Sequence, residues 1–203
     1  MVHSYKTISS SSEGLFKDRG SKFLSFAIPV KSEKEITDHL QQLRKEYHDA
    51  RHHCYAWRLG YDPPLVRAND DGEPSNSAGK PILNQIEKFD LTNILVVVVR
   101  YFGGTLLGVG GLINAYRTSA ETAVKNARII RKKIQHQYDL EFEYPAMNQV
   151  MQLIKEMQIS AANQDFGISC RMSILVDQEK EELITSKLDL IDTCRYKKKT
   201  EDL

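Results

Sequence analysis

The sequence predicts an α+β protein in two domains, and three observations carry that expectation. Strand-like and helix-like segments alternate along all 203 residues. Beyond about residue 135 the order reads strand, helix, strand, strand, helix, strand, the βαββαβ ferredoxin-like pattern. The charge also changes sign there. Up to Gln135 there are 20 Lys and Arg against 14 Asp and Glu; from His136 onward there are 8 against 13. A net of +6 therefore sits beside a net of −5 inside an overall +1. The expected domains are residues 1–135 and 136–203.

The first domain opens with KFLSFAIPV (Lys22–Val30), which has strand composition with Phe23 and Phe26 inward. Ser32 with Glu35 three positions on forms a capping box. The helix it starts carries Ile36, Leu40, Leu43 and Tyr47 at helical spacing. HCYAWRL (His53–Leu59) is a second strand. Tyr61–Ser77 holds three prolines, Gly72 and four acidic residues, so it reads as one long loop. A short helix follows over Pro81–Phe89. Thr92–Arg100 is apolar on both faces, the signature of a central strand covered on both sides. Gly103–Gly111 is the turn. Leu112–Lys132 reads as the longest helix, with Ile129 on its buried side and RIIRKK placing cations at its C-terminal end.

In the second domain the expected elements are strand Gln137–Tyr144, helix Pro145–Met157, strand Ile159–Phe166, strand Ile168–Asp177, helix Gln178–Leu188 and strand Asp192–Lys198. Pro145 suits a first helical turn, and Gly167 a tight hairpin. Ser9–Ser12 reads as loop.

The longest apolar run, Ile94–Val99, is strand length and far below the roughly 20 residues that span a membrane. The N-terminus lacks the apolar core of a signal peptide. Cys54, Cys170 and Cys194 are odd in number and show no C-x-x-C spacing. A cytoplasmic chain with reduced thiols and no membrane partner is expected.

The most informative stretch runs from Asp70 to Ala123: an acidic turn, a buried strand, then a glycine cluster that leads into a helix. Gly103, Gly104, Gly108, Gly110 and Gly111 place backbone amides beside a helix N-terminus, where an anion is favoured. No nucleotide motif is present. Gly103 and Gly108 have P-loop spacing, but Val109 and Gly110 stand where Lys and Ser or Thr belong. A dinucleotide fingerprint begun at Gly108 meets Ile113 at its last glycine. The cluster therefore serves either tight strand-to-helix packing or anion binding assisted by Arg100 and Lys80. Asp71 and Glu73, in D-D-G-E-P, lack metal-loop spacing. They read as a rigid turn whose carboxylates, with Asp70, cap nearby N–H groups or pair with Arg100. No metal and no cofactor are expected. His52 and His53 are adjacent in a strand and point to opposite faces. Tyr101 and Phe102 follow Arg100, and Tyr55 and Trp57 alternate near Arg58. Aromatic and arginine side chains together can clamp single-stranded RNA, or Trp57 and Phe102 can simply be core.

DGEPSNSAGKPIL (Asp71–Leu83), NILVVVVRYFGGTLLGVGGLINAY (Asn93–Tyr116) and TSAETAV (Thr118–Val124) resemble the Impact family, and within it the bacterial YigZ-like branch. KDRGSKFLSFAIPV (Lys17–Val30) and RHHCYAW (Arg51–Trp57) resemble it more weakly. The likeness covers most of the first domain. It departs at Asn76 and Ser77, where the family's turn has Gly-Thr. The resemblance implies a first domain like the second domain of ribosomal protein S5. It implies a second domain like the ferredoxin-like domain V of elongation factor G. It also implies a link to translation, since eukaryotic members oppose activation of a starvation-responsive kinase acting on an initiation factor.

Three functions follow as expectations. The leading one is a non-enzymatic RNA- or ribosome-associated regulator of translation. There Lys80, Arg100 and the Gly103–Gly111 amides hold phosphate, Tyr101 or Phe102 contacts a base or partner, and Asp71, Glu73 and Ser75 complete the ligand- or nucleic-acid-binding site. The second is a protein-interaction module gripping an acidic partner segment. The third is a hydrolase using His53, Asp71 and a loop serine.

Overall fold

Six consecutive apolar residues, Ile94–Val99, determine the architecture of the first half. In a strand their side chains alternate between faces, so both faces of the sheet need a cover. The computed structural model describes residues 2–199 and supplies both covers. The first ten elements are β1 (Ser4–Ile8), β2 (Ser12–Asp18), β3 (Ser21–Pro29), α1 (Glu33–Glu46), β4 (His52–Leu59), β5 (Leu65–Asn69), α2 (Gly79–Lys88), β6 (Ile94–Tyr101), α3 (Gly108–Asn126) and β7 (Ile129–Lys133). β6 lies in the middle of a five-stranded sheet of order β2-β3-β6-β4-β5, antiparallel throughout. β1 pairs with β7 as a separate two-stranded sheet.

On one face Ile94, Val96 and Val98 pack with Ile82 and Ile86 of α2 and Ala115, Tyr116 and Ala120 of α3. On the other, Leu95, Val97 and Val99 pack with Ile36, Leu40 and Leu43 of α1 and with Trp57. Each fully buried Val or Ile contributes about 1.5–3 kcal/mol. α1 starts at the predicted cap: the Glu35 amide donates to Ser32 Oγ at 3.2 Å, while Glu35 Oε2 reaches one residue beyond the cap to accept from the Lys31 amide at 2.8 Å.

Four expectations are corrected here. The segment read as one loop, Tyr61–Ser77, contains β5, an edge strand whose side chains are mostly exposed and so carry no period-2 signal. The long helix begins at Gly108, inside the glycine cluster, and ends at Asn126. All of RIIRKK but Arg128 belongs to β7, with Ile129 40% exposed, because β1 offers a strand partner that overrides helical propensity. β1 and β2 precede the first anticipated strand, and Ser12 already belongs to β2.

Contacts divide the chain into two compact units, Tyr5–Lys132 and residues 133–199 with residues 2–4. The later elements are β8 (Gln135–Glu143), α4 (Met147–Met157), β9 (Ser160–Phe166), β10 (Ser169–Asp177), α5 (Glu181–Leu188) and β11 (Arg195–Lys198), with short 3-10 turns before α4 and α5. Pro145 sits in the first of these turns, and the βαββαβ order is as anticipated. The sheet is antiparallel in the order β11-β8-β10-β9. Its core joins Tyr138, Leu140, Phe142, Met172 and Ile174 to Val150, Leu153 and Ile184 from the helices. No described helix is long and apolar enough to cross a membrane.

Glu181 ties the first and last strands of this unit to α5. It accepts hydrogen bonds from Lys198 Nζ (2.7 Å), His136 Nδ1 (2.9 Å) and the Tyr138 hydroxyl. Burial raises its pKa, but these three bonds outweigh burial and hold it at about 2, below its ordinary 4.5. The charged form is thus the one the fold stabilises. That stability is present above pH 4.5 and is lost as pH falls from 4.5 toward 2. Urea midpoints measured from pH 6 to pH 2.5 are expected to fall more steeply for the native chain than for Glu181→Gln.

Candidate functional site

Three neighbouring carboxylates organise the turn between β5 and α2. Asp70 accepts from the amides of Asn76 (2.9 Å), Ala78 (3.0 Å) and Gly79 (2.8 Å). It thereby caps α2, whose N-cap position is an alanine with no side-chain oxygen. Asp71 accepts from the His53 amide at 2.7 Å and pairs with Arg44 at 3.1 Å. Glu73 accepts from Arg100 Nη1 at 2.5 Å and from the Tyr116 hydroxyl at 2.7 Å. Asn76, standing where the family's turn has glycine, takes φ +60°, a region asparagine tolerates better than most residues. Ser77 donates to the Pro74 carbonyl at 2.6 Å, and Ser75 is exposed.

Sheet register decides which residues share the site. Directly opposite residues in antiparallel strands share a face. Phe23 of β3, Arg100 of β6 and His52 of β4 form one such row. The Arg100 guanidinium lies 5.5 Å from the Phe23 ring centre and 5.7 Å from that of Phe102. His52 Nδ1 lies 2.8 Å from the Asp71 carbonyl, so Nδ1 carries the proton; His52 Nε2 faces Glu73 at 3.9 Å. His53 and Tyr101 occupy the opposite, α1-facing side by strand alternation. Burial lowers the pKa of His53 and leaves its Nε2 without a partner among the described residues. The Tyr101 hydroxyl donates to Asp49 at 2.7 Å, a bond that pushes its pKa up to about 12.

Above the row opens a cleft of about 360 Å³. Its apolar wall is Phe102, Leu106, Leu107, Val109 and Leu112. Its polar side is Arg51, His52, Glu73 and Arg100. Phe102, Leu106 and Val109 are 48%, 81% and 53% exposed, whereas Trp57 is core. Below the cleft, Tyr116 and Cys54 (Sγ–Oη 3.3 Å) are both pushed well above their ordinary pKa values by burial, so each stays protonated.

The structure brings Arg100, Phe102, Glu73 and Gly108 to one cleft. Lys80 is exposed and lies 3.9 Å from Glu87. Arg100 differs most from the expected phosphate anchor: its side chain is only 7% exposed, and its partner Glu73 only 4%. A cation in a central strand at a buried position requires a buried counter-charge, and Glu73 is that charge. Gly103 serves packing, since a Cβ there would lie 1.9 Å from the Gly20 backbone. Gly104 and Gly108 take positive φ, and Gly110 and Gly111 lie in the first turn of α3. Sequence reasoning missed Tyr116, Leu106 and Val109. Tyr116 had a signal, a hydroxyl on a helix's apolar stripe, which needs a buried partner.

Glu73→Ala leaves Arg100 charged and unpaired in the interior. The expected loss is about 3–5 kcal/mol of first-unit stability by urea unfolding. Tyr116→Phe, which removes the hydroxyl's bond to Glu73 and its weaker contact with Cys54, is expected to cost about 1–2 kcal/mol.

The Impact N-terminal domain family matches residues 19–124. IMPACT family member YvyE of Bacillus subtilis is 33% identical over 158 residues, 78% of this chain and 73% of its own. IMPACT family member YigZ of Escherichia coli is 32% identical over 170 residues, 83% of each chain. A solved structure, described as that of a hypothetical protein, superposes with a TM-score of 0.75 at 27% identity over 100% of both chains. On these matches the chain belongs to the Impact family.

Proposed function

We propose that this chain is a cytoplasmic, non-enzymatic regulator of translation whose first unit docks on a protein of the translation machinery through the Phe102–Val109 cleft. Membership of the Impact family supports the regulatory role. The observation that carries the docking mode is the Arg100–Glu73 pair. It neutralises internally the cation best placed to hold phosphate, and the exposed surface beside it is apolar. Exposed apolar residues clustered beside a cleft characterise protein-docking sites. In this reading residues 1–135 form a domain like the second domain of ribosomal protein S5. Residues 136–203 form a ferredoxin-like domain like domain V of elongation factor G, a likeness the β11-β8-β10-β9 order supports. His53 faces α1, away from the Arg100 row, so the hydrolase reading finds no support in the geometry.

RNA or ribosomal RNA contact is the second reading, favoured by exposed Lys132 in β7 and exposed Arg128 just before it. Phosphate contacts from these residues give a salt-dependent affinity, whereas an apolar docking seat gives little salt dependence. Leu106 is exposed, so Leu106→Asp spares the core. Cosedimentation of the purified chain with ribosomes is expected to fall at least about tenfold in Leu106→Asp, the cost of losing one buried apolar anchor. Arg128→Ala/Lys132→Ala is expected to change it little. The reverse pattern, with binding that weakens steeply in salt, replaces docking with RNA recognition.

A further inference from the structure

α3 has two different long faces. Leu112, Ala115, Tyr116, Ala120 and Ala123 are buried and make its contacts with the sheet and α2. Val109, Ile113 and Arg117 follow one another at i, i+4 spacing on the outward side, and all three are exposed. They form a stripe about 12 Å long. Val109 also lines the cleft, so the stripe carries the cleft's apolar wall onward along the helix. Ile113 is 39% exposed and joins Phe102, Leu106 and Val109 as a solvent-facing apolar side chain. The packing of α3 does not use these residues, since its other face makes the core.

Two observations restrict what covers this surface. The first concerns backbone. The strands that carry the Phe23, Arg100 and His52 row, β3, β6 and β4, are each paired on both sides. An extended segment laid here finds no strand edge to bond. It would bury its own N–H and C=O groups unpaired against Phe, Leu and Val side chains. A helix satisfies its backbone internally and presents side chains one turn apart, the spacing of the stripe.

The second concerns charge. From Phe102 to Ala120 the chain has no Asp or Glu. The carboxylate that lines the cleft, Glu73, is committed to Arg100. Arg51 at the cleft and Arg117 at the far end of the stripe are exposed, and neither has a carboxylate partner among the described residues. The residues up to Gln135 carry a net +6, which draws in a partner of opposite sign. RNA answers the arginines but leaves Leu106, Val109 and Ile113 without a counterpart.

We infer that the cleft and the α3 stripe seat an acidic amphipathic helix of the partner, its apolar face against Phe102, Leu106, Val109 and Ile113 and its carboxylates on Arg51 and Arg117. This rests on the docking reading and names the partner's chemistry. The spacing also gives the partner a signature. It needs an apolar anchor for the cleft, a second apolar residue one turn on for Ile113, and an acidic residue two turns on for Arg117.

The probe is an alanine-based peptide of about 20 residues built on that signature, with leucines on one face and glutamates two turns along it. It is titrated into the full chain and followed by backbone amide NMR. Saturable shifts at Leu106, Val109 and Ile113 are expected, with a Kd on the order of 100 μM for one helix face. The same composition in scrambled order is expected to bind at least about tenfold more weakly. A version with lysine in place of each glutamate is expected to bind at least about fivefold more weakly. Equal binding of either control overturns the inference. Oligouridylate that shifts these amides when the peptide does not overturns it in favour of RNA. Arg117→Glu, an exposed change that spares the core, provides an independent check. It is expected to weaken the glutamate peptide at least about threefold and to strengthen the lysine version. An unchanged preference in that folded variant also overturns the inference. If the peptide does not bind while Leu106→Asp still loses ribosome cosedimentation, recognition of an acidic helix fails and docking stands. If Leu106→Asp also cosediments normally, docking fails as well.

Discussion

The first unit is organised around one buried charge pair. Arg100 lies at the end of the central strand, in a row with Phe23 and His52, on the sheet face that carries the apolar side chains of Ile94, Val96 and Val98. A guanidinium there survives only if a carboxylate is buried with it. Glu73 supplies the carboxylate, and it comes from a turn, so the turn is pinned to the sheet by the charge it must deliver. The same carboxylate takes the Tyr116 hydroxyl from α3. One side chain thus fixes the positions of a strand, a helix and a loop around the cleft.

The rest of the turn follows. With Glu73 anchored, Asp70 three residues earlier reaches the amides that open α2, and Asp71 reaches back to β4 and α1. The three carboxylates have three different jobs: Asp70 caps α2, Asp71 ties β4 to α1, and Glu73 pairs with Arg100. Tyr116 and Cys54 remain protonated because burial disfavours their charged forms, so the floor beneath Glu73 consists of neutral groups. The result is a rigid cleft floor with little net field of its own, apart from the cations at its rim.

Much of this was legible in the sequence, and the misses have physical causes. Ile94–Val99 announced a central strand because only a doubly covered strand is apolar at every position. Ser32 and Glu35 marked the start of α1 because a capping box has fixed spacing. The pairing of a turn carboxylate with Arg100 was an open option from residue types alone. What sequence could not supply was register. Without it Arg100 looked available to phosphate, and His53 looked as close to the site as His52. One residue along a strand reverses the face. β5 and β7 escaped for another reason: their exposed side chains carry no burial period, and their strand character comes from partners distant in sequence.

The places where local rules are broken are informative in turn. Elsewhere in the first unit α1 is capped by Ser32 and α2 by Asp70. Around the cleft Leu106 projects into solvent, α3 begins uncapped, and Arg100 Nε lacks a partner. Each departure costs stability, about 1 kcal/mol for a missing cap alone. Any one could arise by drift; a Ser or Asp ahead of Gly108 would repair the cap. All three border one cleft, Arg100 on its polar side and Leu106 and the start of α3 on its apolar wall. The ion pair sets the geometry, and the exposed apolar and cationic groups around it set the chemistry that a partner must bring.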